Sequence, residues 1–485
     1  MPPLLASGAS TLAAAQALAK LASFGLNTRA ARSLSPSALS VPLLHFALAQ
    51  SAVQAPRDGC RRALLRLHSP PSVRLALIPL ALALPVALAV ALLARSLPLS
   101  IVCFSSALEL LAEPLAVAFR RSCSLRPCAF AEVSTSLSRA VSLQLFLRSP
   151  VIAPSSAMAY AFSEACASAA TVFAYSVASL MCIPSQSESK ARVGFTTESY
   201  RICAAFVAQD FLKLALSESE KLVVVSRSPD REQGGFGLAS NLGSLFARIA
   251  LKPIEDSASS TFSSSAHDLH SKASLLQSTM RILFSASLLL AIVAQPFVQI
   301  GLHILYGPVW AAEPSALRGL RAYCAYIPFL AFNGVIEAYA DALLSVRAIT
   351  ERNISLVLAT ALQVALQFVL EPHFGVIGII CGNCAHMLAR CVCTYTLLRR
   401  EELLHGFSLR RAAPPAALLL AAAAITSTSS TALFILREAP LWSRTALGML
   451  AASAYFLCAL SFSDSHFLWF KGRKSGKSEE MQYSQ

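Results

Sequence analysis

Apolar runs long enough to cross a bilayer, each closed by a polar or basic break, recur along almost the whole chain. A helix needs about 20 mostly apolar residues to span the hydrocarbon core. About fourteen stretches reach that length. They begin near Gly8, Ser37, Val73, Leu99, Pro127, Val151, Arg201, Gly234, Ile282, Gly319, Arg352, Gly375, Ala412 and Arg444. The fifth (Pro127–Leu147), seventh (Arg201–Val225) and eighth (Gly234–Pro253) carry several polar residues, as helices do when they face a bundle interior or a watery cavity. The pattern predicts an all-α polytopic membrane protein.

The breaks carry the topology. With a cytosolic amino terminus, the loops after even-numbered helices hold Arg57, Arg61, Arg62 and Arg66, then Arg120, Arg121 and Arg126, and later Arg347, Arg352, Arg399, Arg400, Arg410 and Arg411. The opposite loops hold about half as many basic residues, the asymmetry of the positive-inside rule. A missed helix would scramble this alternation, so fourteen helices with both termini cytosolic are expected. The expected organisation is a six-helix bundle within 1–184, a polar linker at 185–200, a second six-helix bundle within 201–400, two additional helices within 401–470 and a basic tail at 471–485. Such spacing suits a transporter built from two pseudo-symmetric bundles. Residues 1–32 contain no acid, and their basic residues come late (Lys20, Arg29, Arg32), which favours a retained first helix over a cleaved leader.

Composition points to lipid as the covering solvent. The 485 residues are 55% hydrophobic and 14% charged, with mean hydropathy +0.59, whereas a soluble domain carries about a quarter charged residues. In a soluble protein the net charge of +14 would suggest nucleic acid. Here the Lys and Arg lie in short runs between apolar stretches, so no nucleic-acid partner is expected. The 13 cysteines are scattered, and the lone CxxC of Cys381 and Cys384 sits in a membrane-length helix, where packing explains it better than metal. The chain has no P-loop, H-E-x-x-H or G-x-S-x-G, so no enzyme, cofactor or metal is expected. The sequon Asn353-Ile354-Ser355 falls at a cytosolic helix edge and should go unused.

The informative residues are those that cost energy where they sit, since a charge at mid-bilayer costs about 2.5–3.5 kcal/mol on insertion scales. Lys20 and Asn27, Asn241 and Arg248, and Asn383 and Arg390 each lie two turns apart on one helix face. Glu109 and Glu113 stack one turn apart, and Pro114 should kink that helix. The seventh stretch holds Lys213, Glu218, Glu220 and Lys221, with a Glu218–Lys221 pair expected at i,i+3. Arg321, Asn333 and Glu337 share the tenth. These faces are expected either to line a hydrophilic cavity between two bundles or to pair with each other and fix helix packing. The cluster Arg57-Asp58-Gly59-Cys60-Arg61-Arg62 suits a phosphate or diphosphate, or else serves as a plain positive-inside anchor.

A family resemblance runs through these segments. Ser217-Glu218-Ser219-Glu220-Lys221, Gln233-Gly234-Gly235-Phe236-Gly237, Asn241-Leu242-Gly243-Ser244-Leu245-Phe246-Ala247-Arg248 and Pro253-Ile254-Glu255-Asp256 resemble, in order and spacing, the Rft family of endoplasmic-reticulum flippase-like proteins. The cluster at Arg57–Ala63, Leu108–Pro114, Leu320–Cys324 and Asn333–Ala338 are similar to further family runs, covering roughly residues 20–400. Ser219, Phe236, Asp58 and Asp256 depart from the family pattern.

The resemblance implies the fold of the multidrug, oligosaccharidyl-lipid and polysaccharide exporter clan, with two six-helix bundles facing a central cavity. It implies a mannose-rich oligosaccharide on dolichyl diphosphate as cargo, moved from the cytosolic to the lumenal leaflet of the endoplasmic reticulum for N-glycosylation. The expected partners are that glycolipid, the surrounding membrane lipids and glycan-assembly enzymes. The cavity residues expected on this reading are Lys20, Asn27, Arg32, Arg57, Arg61, Arg62, Asn241, Arg248, Arg321, Asn333, Asn383 and Arg390. Glu109, Glu113, Lys213, Glu218, Glu220, Glu255 and Glu337 are the expected gating and charge partners. Two rivals are a non-transporting accessory factor in lipid-linked oligosaccharide assembly and an ion-coupled small-molecule antiporter.

Overall fold

The computed structural model describes residues 22–66, 76–121, 125–181, 218–246 and 268–462, with the single positions 204, 207, 211, 214, 251 and 262. Every regular element among the described residues is helical. Seven stretches among them are long and apolar enough to cross a membrane: Pro36–Arg57, Leu97–Phe119, Ser156–Met181, Leu269–Val293, Glu351–Phe374, Val376–Arg400 and Leu409–Glu438. The chain divides into two compact units. Unit 1 comprises Met1–Leu238 and Leu305–Ala316, and unit 2 comprises Ala239–Ile304 and Leu317–Gln485.

Unit 1 begins with α1 (22–32) and α2 (Pro36–Ser40). Ser35 caps α2 by accepting from the Ala38 amide, and Pro36 takes a first-turn position where its missing N–H is not needed. The backbone then widens into a π-turn at Val41–His45, which accommodates Pro42, before continuing as α3 (Phe46–Arg66). Next come α4 (Ile78–Ala94), α5 (Leu97–Glu109) and α6 (Glu113–Arg121). Between α5 and α6 lies a 3-10 turn, Leu110–Ala112, immediately before Pro114. The Pro114 ring has no N–H for the Leu110 carbonyl and crowds it, which is why the helix tightens there. The unit is completed by α7 (Leu125–Leu147), α8 (Ser156–Met181) and α9 (218–227), and α10 (Asp230–Phe246) begins in it.

Small side chains fill the unit 1 interior. Ala49, Ala83, Ala87, Ala107 and Ala161 sit among Phe46, Val53, Val102 and Leu110. In lipid there is little hydrophobic gain from helix association, so close approach and polar contacts hold the helices together. Other large apolar groups turn outward, with Leu93 and Leu180 each 84% exposed.

Three side chains tie Leu305–Ala316 into unit 1. The Trp310 Nε1–H, wholly buried, donates to the Ala31 carbonyl at 2.9 Å. Arg32 donates through Nε to the Leu305 carbonyl at 2.7 Å. Arg231 meets Glu313 at 2.7 Å, and the Ser315 hydroxyl donates to the same carboxylate at 2.9 Å.

Unit 2 contains α11 (Leu269–Leu288), α12 (Val298–Tyr306) up to Ile304, α13 (Pro314–Leu343) from Leu317, α14 (Val346–Phe374), α15 (Val376–Arg400), α16 (Ala416–Ile435) and α17 (Leu441–Phe462). Gly375 separates α14 from α15 at φ 55°, ψ −134°, a conformation open to glycine and strained for other residues. Leu288 and Val293 pack with Leu418, Ala422, Ala451 and Tyr455, joining α11 to the last two helices.

Candidate functional site

On α3, Gln50, Gln54, Arg57 and Arg61 are spaced four, three and four residues apart, so they line one helix face. Each finds an acid on a neighbouring helix. Gln50 donates to Glu164 on α8 at 3.3 Å, and Gln54 donates to Glu109 at 3.1 Å. Arg57 pairs with the other oxygen of Glu109 at 3.0 Å. Arg61 donates through Nε to Glu113 at 3.1 Å and through Nη2 to the second Glu113 oxygen. Arg139 on α7 closes the row by meeting Glu164 at 2.9 Å. Among the described residues, three arginines and three carboxylates pair along this polar seam inside an apolar unit, where unpaired charge would be costly.

Unit 2 has its own polar seam. Arg390 on α15 clamps Glu337 on α13 with three contacts of 2.7–3.0 Å. The buried Asn383 carbonyl oxygen accepts from Gln363 at 2.7 Å and from Gln367 at 2.8 Å, both on α14. Thr360 meets His386 at 3.3 Å, and the Cys391 thiol lies 3.8 Å from the Asn333 carbonyl oxygen. At the helix ends, outside the apolar spans, Ser345 donates its amide and hydroxyl to Glu401, and these bonds hold the Glu401 carboxyl below its usual pKa.

The structure therefore brings Arg57 and Arg61 to Glu109 and Glu113, and Arg390 to Glu337. Glu218 pairs with Lys221 at 2.7 Å, while Glu220 is half-buried. Asn27 is half-buried, and Asn241 and Arg321 are exposed. Lys20, Lys213, Arg248, Glu255 and the side chain of Arg62 lie outside the described residues. Sequence reasoning passed over Arg139, Glu164 and the two α3 glutamines. Their signal was present, as charges and amides inside apolar stretches, but the pattern does not assign them partners. Among the described residues no three His, Cys, Asp or Glu side chains gather as a metal site.

A match to the Rft protein family spans residues 5–468. The chain belongs to that family. It is 28% identical over 218 residues to the Man(5)GlcNAc(2)-PP-dolichol translocation protein of Mus musculus, a stretch covering 42% of this chain and 40% of that protein. The Drosophila melanogaster protein of the same name is 29% identical over 221 residues (43% and 40%), and that of Saccharomyces cerevisiae 34% identical over 132 residues (26% and 23%). The matched stretches span two fifths or less of the length of these curated relatives.

Two solved structures share the fold of this Rft chain. One is described as lipid II flippase MurJ in an inward closed conformation, with TM-score 0.59 and 12% identity over 91% of this chain and 97% of that one. The other is an inward-facing multidrug resistance MATE family transporter of the MOP superfamily, with TM-score 0.56 and 14% identity over 81% and 96%. The chain is accordingly a multi-pass helical membrane protein that shares the fold of these two structures.

Three of the runs that resemble the Rft family have physical roles that the structure shows. Arg57–Arg61 and Glu109–Glu113 supply facing halves of the unit 1 seam. Gln233–Gly237 is a packing run: Gln233 is buried, with its amide donating to the Ser228 carbonyl at 2.9 Å and its carbonyl oxygen 3.1 Å from His45 Nε2. A Cβ at Gly234 would fall 1.9 Å from the Pro36 carbonyl oxygen, so only glycine lets α10 approach that backbone.

Proposed function

We propose that this Rft-family chain moves a mannose-rich oligosaccharide on dolichyl diphosphate from the cytosolic to the lumenal leaflet of the endoplasmic-reticulum membrane, for protein N-glycosylation. The observation that carries the reading is the α3 row, with Arg57 and Arg61 held by carboxylates inside an apolar unit. Such pairs keep cationic groups charged in a low-dielectric setting until a diphosphate replaces the carboxylate, and Arg binds phosphate oxygens bidentately. A glycan diphosphate cannot cross bare hydrocarbon, because each unpaired polar group costs several kcal/mol. The polar seam offers replacement partners while the prenyl chain remains in lipid. The names of the relatives support the cargo, and the transporter fold supports translocation. Fourteen helices in two six-helix bundles with two further helices, and both termini cytosolic, complete the proposal.

The pairing of the described arginines favours a second reading. Arg57, Arg61 and Arg139 each have a carboxylate partner within the same unit, as a scaffold role in glycolipid assembly would require. Depleting the chain in its native cell and profiling dolichol-linked glycans tests both readings. Accumulation of a cytosol-facing intermediate is expected, and an unchanged profile excludes both.

A further inference from the structure

The connection from α15 to α16 is fastened to unit 2 along its length. Ser345 donates its amide and hydroxyl to Glu401. The Tyr339 hydroxyl donates to the Leu403 carbonyl at 2.8 Å. Gly406, at φ 80°, lies against α11, where a Cβ would fall 2.6 Å from the His270 ring. The Ser408 amide donates to the Gln277 side-chain oxygen at 3.2 Å. A single helical turn, Leu409–Ala412, follows and is seated by the buried Ala412. Arg410 and Arg411 are exposed on this turn, and neither side chain makes a hydrogen bond or ion pair with a described residue. Other arginines at this end of the unit are already engaged. Arg347 and Arg400, 87% and 71% exposed, both meet Glu351, and Arg352 pairs with Asp341.

Charge and depth together select the partner. The adjoining segments add exposed His270 and His405 and half-buried Lys272. Of the acids in those segments, Glu401 is held by Ser345 and Asp268 by Ser271, which leaves Glu402 exposed. The apolar helix α16 begins at Ala416, directly after Pro414 and Pro415. Residues that flank a membrane span lie at the level of the lipid headgroups. Leu409, 48% exposed, adds an apolar contact at that boundary. Because the connection is already fixed, little ordering entropy opposes binding there. Basic side chains at the cytosolic end of a membrane helix attract anionic lipid, and a guanidinium donates well to phosphate and carboxylate oxygens. We propose that the Leu409–Ala412 turn docks the headgroup of an anionic phospholipid of the cytosolic leaflet through Arg410 and Arg411. The inference uses the topology proposed above and is independent of the cargo.

The test uses the full chain in neutral detergent micelles, with phosphatidylserine and phosphatidylcholine as paired probes and bound lipid counted by native mass spectrometry. The wild type is expected to prefer phosphatidylserine, and the preference should shrink as ionic strength rises. Arg410→Gln and Arg411→Gln are each expected to weaken phosphatidylserine binding about fivefold, the share of one basic residue at an anionic surface, and to leave phosphatidylcholine unchanged. Arg347→Gln combined with Arg400→Gln removes two charges from the same end of the unit. It is expected to leave both lipids unchanged, because those cations already face Glu351. Equal losses in the two double variants would reveal a response to net charge and overturn the site. Equal binding of the two lipids by the wild type also overturns it and leaves the turn to an acidic protein segment. Melting in phosphatidylcholine micelles controls for folding: an Arg410→Gln, Arg411→Gln chain that melts with the wild type and keeps the preference overturns the proposal. A glycan on Asn353 would place the turn at the lumenal leaflet and overturn it as well. Reconstituted chain that fails to move the glycolipid would remove the cargo and leave this lipid site standing.

Discussion

Arg61 on α3 and Glu113 at the start of α6 are joined by a two-pronged ion pair, with Nε and Nη2 donating to different oxygens of one carboxylate. Only 7% of the Glu113 side chain is exposed. The 3-10 turn before Pro114 sets the rotation of α6, and the 50-54-57-61 spacing on α3 sets which residue meets it. Arg61→Ala strands a buried carboxylate and is expected to cost about 3–5 kcal/mol, the penalty for removing one partner of a buried pair. Thermal melts of the purified protein check this, and the reversed pair Arg61→Glu with Glu113→Arg should recover part of the loss. An Arg61→Ala variant that melts with the wild type would remove the seam's structural role.

Two glycines give opposite expectations. Gly234→Ala forces a Cβ against the Pro36 backbone and should destabilise the fold strongly. Gly25, within α1, has open space where a Cβ would stand. Gly25→Ala is therefore expected to be neutral or to stabilise by about 0.5–1 kcal/mol through the lower entropy of the unfolded chain. Comparing the two melting temperatures decides the point.

Glu401 should leave an acid-side signature. Its folded carboxyl is held below the usual glutamate range by bonds from the Ser345 hydroxyl and amide. A depressed carboxylate contributes stability that is fully present above the unfolded pKa and fades as pH falls through the folded one. Glu401→Gln should therefore flatten the acid limb of stability against pH below about 4.5 and change little near neutrality. A variant with an unaltered acid limb would contradict the assignment.

Asn353 tests orientation. It is exposed on the second turn of α14 and begins a sequon. With both termini cytosolic this turn faces the cytosol, so the mature protein should carry no glycan there. A peptide map showing Asn353 glycosylated would invert the proposed topology.

The apolar runs made the helices legible, and helix-local features followed from spacing alone. Pro114 marked the break after Glu109, and Glu218 and Lys221 pair at i,i+3 as their spacing requires. Partners on other helices were not legible. Arg139 and Glu164 lie on separate helices, and nothing in either helix's periodicity selects the other. The return of Trp310 to the Ala31 carbonyl spans 279 residues of sequence. Gln363 and Gln367 read as ordinary polar positions until Asn383 is seen to accept from both. Family resemblance located several of these residues without stating what they touch.

Reconstitution is the most direct measurement of glycolipid movement. Purified full-length chain in sealed vesicles, supplied with labelled mannose-rich dolichyl diphosphate oligosaccharide in one leaflet, should deliver the label to the other leaflet faster than protein-free vesicles do. Arg57→Gln should slow that delivery about tenfold or more, because one charge-assisted hydrogen bond contributes about 1.5–3 kcal/mol. Wild-type vesicles that move the glycolipid no faster than protein-free ones would contradict translocation by this chain.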